Sequence, residues 1–597
     1  MAWHGTQRSR RTRLPLDSLR FNIVPASHFD HIFLPMETTV HAPPPVRERR
    51  RRFRGVFGVL ALTGVLALTG CSSTVDAAGG TGSGDPQSGG TLRIALLSSP
   101  ESLDPHLNTS FAASNYGNSV FDKLTWQDPE TGEIGPWLAT AWEVNDTNTE
   151  FTFTLREGVT FSDGTPFNAD IVKKNFDQYV FGDPALGIKP NGATHLKSYQ
   201  GSEVVSDNVV KIVFKSPSAS FLQFISYSGN NQPGIIGQKT LSSNAEQRLD
   251  PTNIVGTGPF VVTEYAPKER TVLTKRADYN WGAPGLNHEG PAYLDKVEFV
   301  TIPEASVRTG ALQSGEVQAA FDILPTDETV LEAQGFDITS RTIAGLNLGW
   351  NINTSLEPTN DINVRRAIVR ATNRAGFKDT VLAPSEGQAK SVLAAHVQGS
   401  TDYTDDVLKF DLEESKRLLD EAGWKVGADG IREKDGKKLT LKATGHYLVP
   451  NSRYTYESIQ ASLKEIGVDL DFQFDASNIP TDQVNKEYHL INTNRSRNDP
   501  AILNVNFNPD RGNSARIPAD FPDRQKIADT LEALESTLDP TQRAALTEQA
   551  QELVLDEYVL YDPVFEPSQV AASKGVHDID LDATSRLHFL RTWIDQS

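Results

Sequence analysis

The sequence predicts an α/β protein built as several domains with mixed sheets, on three observations. From Gly90 to near the C-terminus, runs with the two-residue alternation of strands take turns with runs spaced for helices. The chain has 597 residues, more than one hydrophobic core organises, so two to four domains are expected. Its 38% hydrophobic and 22% charged residues describe a soluble globular protein.

No fold is assigned to residues 1–35, since a signal of ordinary length begins at the second methionine, Met36. Arg47 to Arg54 is almost wholly basic, and Gly55 to Gly70 is an uncharged apolar run of sixteen residues. That is the length of a signal-peptide core and short for a membrane span. The run ends Leu68-Thr69-Gly70-Cys71, which matches a bacterial lipobox, with the Cys71 thiol as the lipid acceptor. Two acyl chains hold a protein on a bilayer durably where one does not. Eleven Arg stand against four acidic residues up to Cys71, which leaves −27 on the rest of a chain whose net charge is −20. Ser72 to Gly90 is rich in Gly, Ser and Thr and reads as a flexible tether.

Structure begins with a strand at Gly90–Leu96. Phe151, Phe153 and Leu155 alternate with Thr152, Thr154 and Arg156, so one face of a strand is apolar. Ser162-Asp163-Gly164-Thr165-Pro166 is a turn cluster, and Asn168 stands where an N-cap belongs, ahead of Ile171, Val172, Phe176 and Tyr179 at helical spacing. Further strands are predicted at Val209–Phe214, Val261–Tyr265, Thr271–Lys275 and Val297–Ile302, with a helix from Glu304 to Gln313. A strand at Leu346–Ile352 precedes a helix that buries Val364, Ile368 and Ala371 and turns Arg365 and Arg366 outward. Leu412, Leu418 and Leu419 mark the next helix, ended by Gly423, and Ile459, Leu463 and Ile466 a third, ended by Gly467 before the alternating strand Val468–Phe474. Polar helices follow near Asp523–Leu538 and Thr541–Tyr558.

The run Trp137 to Phe176 closely resembles the signature of the family 5 extracellular solute-binding proteins, the peptide, nickel and opine receptors of ABC importers. In that family a Trp-Leu-Ala segment leads into an Arg-x-Gly-Val-x-Phe-x-Asp-Gly-x-Pro-Phe hairpin and then a helix. Trp137-Leu138-Ala139 and Arg156 to Phe167 fill every one of those positions. Ser102–His106, Val255–Phe260 and Leu312–Val317 also resemble family segments. The resemblance implies a two-lobed periplasmic-binding-protein-like fold, with a hinge crossed twice and an extra inserted domain. It divides the chain into an extension and signal peptide (1–71), a tether (72–89), lobe I (90–114, 251–345 and 561–597), the inserted domain (115–250) and lobe II (346–560). The return crossing is expected at Val559–Pro563.

It further implies a monomeric receptor without cofactor that delivers a small polar solute to ABC permease subunits and their ATPase. The lipobox places it outside the cytoplasmic membrane, anchored by lipid. The residues agree with binding rather than catalysis: no G-x-S-x-G, H-E-x-x-H or Walker A string is present. An acidic body offers no net field for nucleic acid. One cysteine, and no His pair at i, i+4 in the mature chain, leave no local metal motif.

Peptides lead as the solute by family frequency, but the family's ligand segment departs from its pattern here. Aligned on Asp499-Pro500, the acid that takes a peptide amine falls on Ser496, flanked by Arg495, Arg497 and Asn498. Two guanidiniums in a cleft favour a carboxylate, sulfonate or phosphate, so a non-peptide anionic solute is the alternative. His446 or Tyr447 occupies the place where dipeptide receptors hold the ligand carboxylate. Asn230, Asn231, Trp350 and Asn351 are candidates for amide donors and an aromatic wall, with turn or core as the alternative role of each. A surface lipoprotein with a hydrolase or signalling role is the remaining rival.

Overall fold

The computed structural model describes residues 85–596 apart from 108–109, 193–195, 227–233, 446–451, 475–478, 494 and 512–515. The signal segment and Cys71 lie outside the described residues.

Three sheets carry the architecture. The first has seven strands in the order Asp337–Thr342, Ser568–Ser573, Ala319–Phe321, Thr91–Leu96, Lys296–Thr301, Arg270–Lys275 and Phe260–Ala266. Thr91–Leu96 pairs in parallel with both neighbours, while the outer strands run antiparallel, so the sheet is mixed. The second has six strands in the order Gly387–Gln388, Tyr561–Glu566, Leu348–Ile352, Leu490–Thr493, Thr440–Gly445 and Asp469–Phe474. A third, four-stranded and antiparallel, contains Ala139–Val144, Glu150–Leu155, Val209–Phe214 and Tyr199–Ser206.

The alternation at Glu150–Leu155 buries Phe151, Phe153 and Leu155, and the Asn168 side chain accepts from the Ile171 amide to start the helix Ala169–Phe181. Gly423 and Gly467 both lie at positive φ, +87° and +82°, where each follows a helix end.

Two large cores follow from these sheets. One runs without a break from Leu92, Ile94 and Phe299 of the first sheet to Phe151, Phe153, Phe176 and Phe221 of the third. The block expected as an inserted domain at 115–250 therefore shares its interior with the first lobe. The join is tight: Gly258 donates to the Val120 carbonyl at 2.9 Å, and a Cβ on Gly256 would stand 2.1 Å from that oxygen. The other core, around Trp350, Leu419, Leu441, Ile459 and Val564, belongs to the second lobe.

Two local expectations change. Tyr561–Glu566 pairs with Leu348–Ile352 inside the second sheet, so the return crossing lies at Pro567 rather than at 559–563. Arg365 points inward, 3% exposed, donating to the carbonyls of Tyr558, Thr359 and Asn360 at 2.7–3.0 Å. Helical spacing assigns a face to Arg365, but it cannot show that three carbonyl oxygens wait on that face.

Asp122, at the junction of the first and third sheets, accepts from Trp281 Nε1 at 2.9 Å and Tyr279 Oη at 3.2 Å. Burial pushes its carboxyl up to about 7, against the pull of those hydrogen bonds and of Arg276. The folded pKa exceeds the unfolded one, so this group's contribution is complete below about pH 4 and is lost as pH rises through 7. Thermal melts between pH 5 and 8 are expected to show Asp122→Asn losing less stability with rising pH than wild type; parallel profiles would refute this assignment.

Candidate solute-binding site between the lobes

The two crossings are neighbours. Thr342 leads through Ile343–Asn347 into the second sheet, and Glu566 returns through Pro567. The Ile343 amide donates to the Pro567 carbonyl at 2.8 Å. Beside the outgoing crossing lies the segment after strand Leu490–Thr493. Leu346 N donates to Arg495 O at 3.0 Å, Arg497 N donates to Ala344 O at 3.0 Å, and Gly345 bridges Ser496. The resemblance aligned this segment with the family's ligand contact, and it lies against the hinge.

From here the segment reaches the first lobe. Arg497 Nε donates to Gln223 Oε1 at 3.0 Å, Gln223 Nε2 donates to Gln127 Oε1 at 3.2 Å, and Gln127 Nε2 donates to the Asn498 carbonyl at 3.0 Å. The circuit runs out from residue 497 and back to residue 498 through two amides of the first lobe, and each amide donates with one end and accepts with the other. Asp499 is tied within its own lobe, accepting from Arg543 Nη2 at 2.6 Å. Burial alone would raise its pKa, but the Arg543 and Arg497 guanidiniums more than offset this and hold it below the usual carboxylate range.

Two further bridges join the lobes. Ser220 Oγ donates to the Glu535 carboxylate and Ala219 N to the Glu535 carbonyl at 2.9 Å. Ser385 donates to Glu328 through its amide at 3.1 Å and its hydroxyl at 2.8 Å. The lobes thus touch directly, through the Arg497–Gln223–Gln127–Asn498 circuit and through these two bridges.

Arg495 and Ser496 differ from their neighbours. Arg495 Nε and Ser496 Oγ are buried with no hydrogen-bond partner. Burial lowers the pKa of Arg495, and Arg516 is lowered to about 10 by burial and by the nearby Arg495 charge.

The remaining expected residues separate. Trp350 is fully buried, donates to Thr444 O at 3.0 Å and packs on Tyr456 with ring centroids 4.9 Å apart. Asn351 is buried and accepts from Asn506 Nδ2 at 2.8 Å. Both lie inside the second lobe, on the strand Leu348–Ile352, which is buried at every position. Asn230, Asn231, His446 and Tyr447 lie outside the described residues. Gln127, Gln223, Arg516 and Arg543 were absent from the expected set. No local spacing marks them, since each meets its partner across a long stretch of chain or across the lobes.

Known proteins resemble the whole of this frame. The model for bacterial extracellular solute-binding proteins, family 5, middle part, matches residues 133–513. The nickel-binding periplasmic protein of Escherichia coli K12 is 28% identical over 502 residues, 79% of this chain and 88% of that protein. The dipeptide-binding protein of the same organism is 29% identical over 401 residues, 63% of this chain and 70% of that protein. The crystal structure of NikA from Brucella suis in complex with Fe(III)-EDTA superposes with a TM-score of 0.73 at 26% identity, covering 85% of this chain and all of that one. With its family match, its paired lobes and its doubly crossed hinge, the chain belongs to the family 5 bacterial extracellular solute-binding proteins.

Proposed function

We propose that this protein is the substrate-binding subunit of an ABC importer. It captures a small polar solute between its lobes, with peptides the leading class, and presents the closed form to the permease and its ATPase. It works as a monomer by capture and release, without turnover, outside the cytoplasmic membrane and held there by a diacylglyceryl group on Cys71.

The observation that carries this reading is the hydrogen-bonded circuit through Arg497, Gln223, Gln127 and Asn498, set beside a two-strand hinge. A solute shifts a two-lobed protein toward closure only through contacts it makes better in the closed form. Were the empty protein closed about 1% of the time, apparent affinity would fall about 100-fold below the intrinsic value. Groups that join the lobes directly therefore tune affinity without touching the solute. The nickel-binding and dipeptide-binding relatives support a small solute of this kind.

Small-angle scattering of protein stripped of retained solute, and of the same protein reloaded with it, tests the proposal. The loaded form is expected to have the smaller radius of gyration. Equal radii with solute demonstrably bound would overturn it.

A further inference from the structure

We propose that the segment Ser218–Gln223 of the first lobe is a solute-independent latch, which grips the second lobe chiefly through Ser220 and Glu535. This rests on the receptor reading above and adds what, besides the solute, sets how often the lobes meet.

Among the described residues, four hydrogen bonds cross from this segment to the second lobe. Ala219 N donates to Glu535 O at 2.9 Å, and Ser220 Oγ donates to the Glu535 carboxylate. Arg497 donates in the other direction, through Nε to Gln223 Oε1 at 3.0 Å and through Nη2 to Ser220 O at 3.4 Å. Ser220 is 2% exposed and Glu535 9%, so the bond between them forms away from bulk water, where a hydrogen bond to a carboxylate weighs most. Glu535 stands in the last turn of helix Arg524–Ser536, where backbone carbonyls find no partner within the helix. The Ala219 amide answers one of them from the other lobe.

Neither half of the latch can follow the other when the lobes part. Phe221, inside the segment, sits in the first core against Phe214 and Phe151, with ring centroids 4.8 and 4.9 Å apart. Thr125 Oγ1 holds the next carbonyl, that of Leu222, at 2.9 Å. On the other side, Ile527, Leu531 and Leu534 seat the helix in the second core. Parting therefore breaks the crossing bonds together instead of stretching either lobe. None of these bonds involves a solute atom, so losing the latch lowers the closed fraction of the empty protein. Affinity for every solute then falls by one common factor.

Hydrogen exchange on the full chain, stripped of solute and followed by mass spectrometry with residue-level fragmentation, tests this at the Ala219 amide. Strand Glu150–Leu155, paired with Val209–Phe214, is the control. In wild type Ala219 is expected to exchange faster than that strand, since the lobes part without unfolding. Ser220→Ala is expected to speed Ala219 exchange at least about tenfold, with strand rates unchanged and a melting temperature within about 2 °C of wild type. Glu535→Ala is expected to do the same, and the double variant to add nothing more; additive effects would mean that the two do not act through one bond and would overturn the latch. Unchanged Ala219 exchange in Ser220→Ala, with wild type still opening locally, would overturn it and leave the receptor reading standing. Strand rates that rise in step with Ala219 would make Ser220 a structural residue and overturn it as well. Wild-type exchange at Ala219 no faster than in the strand would mean that the lobes part only on unfolding, and would overturn both readings.

Discussion

Asp562→Ala is expected to cost about 3–5 kcal/mol of folding stability, the largest loss from any single side chain discussed for this protein. Asp562 is wholly buried on the return strand of the second lobe, and its partner Arg374 is 1% exposed. One carboxylate oxygen accepts from Arg374 Nη2, the other from Thr372 Oγ1 at 2.9 Å. The guanidinium also donates to the carbonyls of Pro563 at 2.6 Å, Val369 at 3.0 Å and Leu408 at 3.2 Å. It thus ties the return strand to the end of helix Ile362–Ala371 and to the loop before helix Leu412–Glu421. Removing the carboxylate leaves a buried charge whose carbonyl partners cannot neutralise it. Arg374→Met placed on top of Asp562→Ala is expected to recover part of the loss, because the stranded charge is then gone. Urea denaturation followed by tryptophan fluorescence checks both; a loss under about 1 kcal/mol for Asp562→Ala would refute the pair's role.

Gly345→Ala is expected to damage stability and solute capture together. Gly345 has φ +117°, and a Cβ there would stand 2.1 Å from the Arg495 carbonyl oxygen and 2.7 Å from the Arg497 amide nitrogen. Both obstacles are backbone, so neither can swing aside. Backbone strain of about 1–3 kcal/mol adds to the displacement of residues 495–497 from the crossing strand. Gly158→Ala is the control: φ is +78° with nothing within 4 Å, so only the conformational cost applies. Affinity for the retained solute is expected to fall at least about tenfold in Gly345→Ala and to stay at the wild-type value in Gly158→Ala. Unchanged affinity in Gly345→Ala would show that the segment beside the hinge takes no part in capture.

Much of the fold was legible where local chemistry decides it. The strand Glu150–Leu155 follows from alternation, the start of the next helix from Asn168, and two helix ends from Gly423 and Gly467. What failed depends on distant chain. Arg365 turns inward because Tyr558, far along the chain, presents its carbonyl beside those of the nearby Thr359 and Asn360. Tyr561–Glu566 belongs to the second lobe because it pairs with Leu348–Ile352, two hundred residues earlier in sequence. Of the site, the segment 495–499 was legible through its resemblance to a family motif. The separate fates of Arg495 and Arg497 were not: consecutive odd positions suggest two like cations, yet Gln223 claims one, while the other keeps a buried Nε with no hydrogen-bond partner. Trp350 reads either as a ligand wall or as core from the sequence, and its bond to Thr444 and its packing on Tyr456 come from chain about a hundred residues away.

The position of the fold's flexure is set by which hinge amides and carbonyls are already engaged. Gly345, Leu346 and Asn347 are laced on both flanks into the second lobe, by Ser496 and Arg495 on one side and by Val392 to Ala394 on the other. Between this lacing and the first-sheet pair Thr342–Ser568 lie only Ile343 and Ala344 on one ribbon and Pro567 on the other, a short strap at the margin of the first sheet. Such a strap bends more readily about one axis than it twists, so under the proposed capture and release the rims would meet in the same register each time.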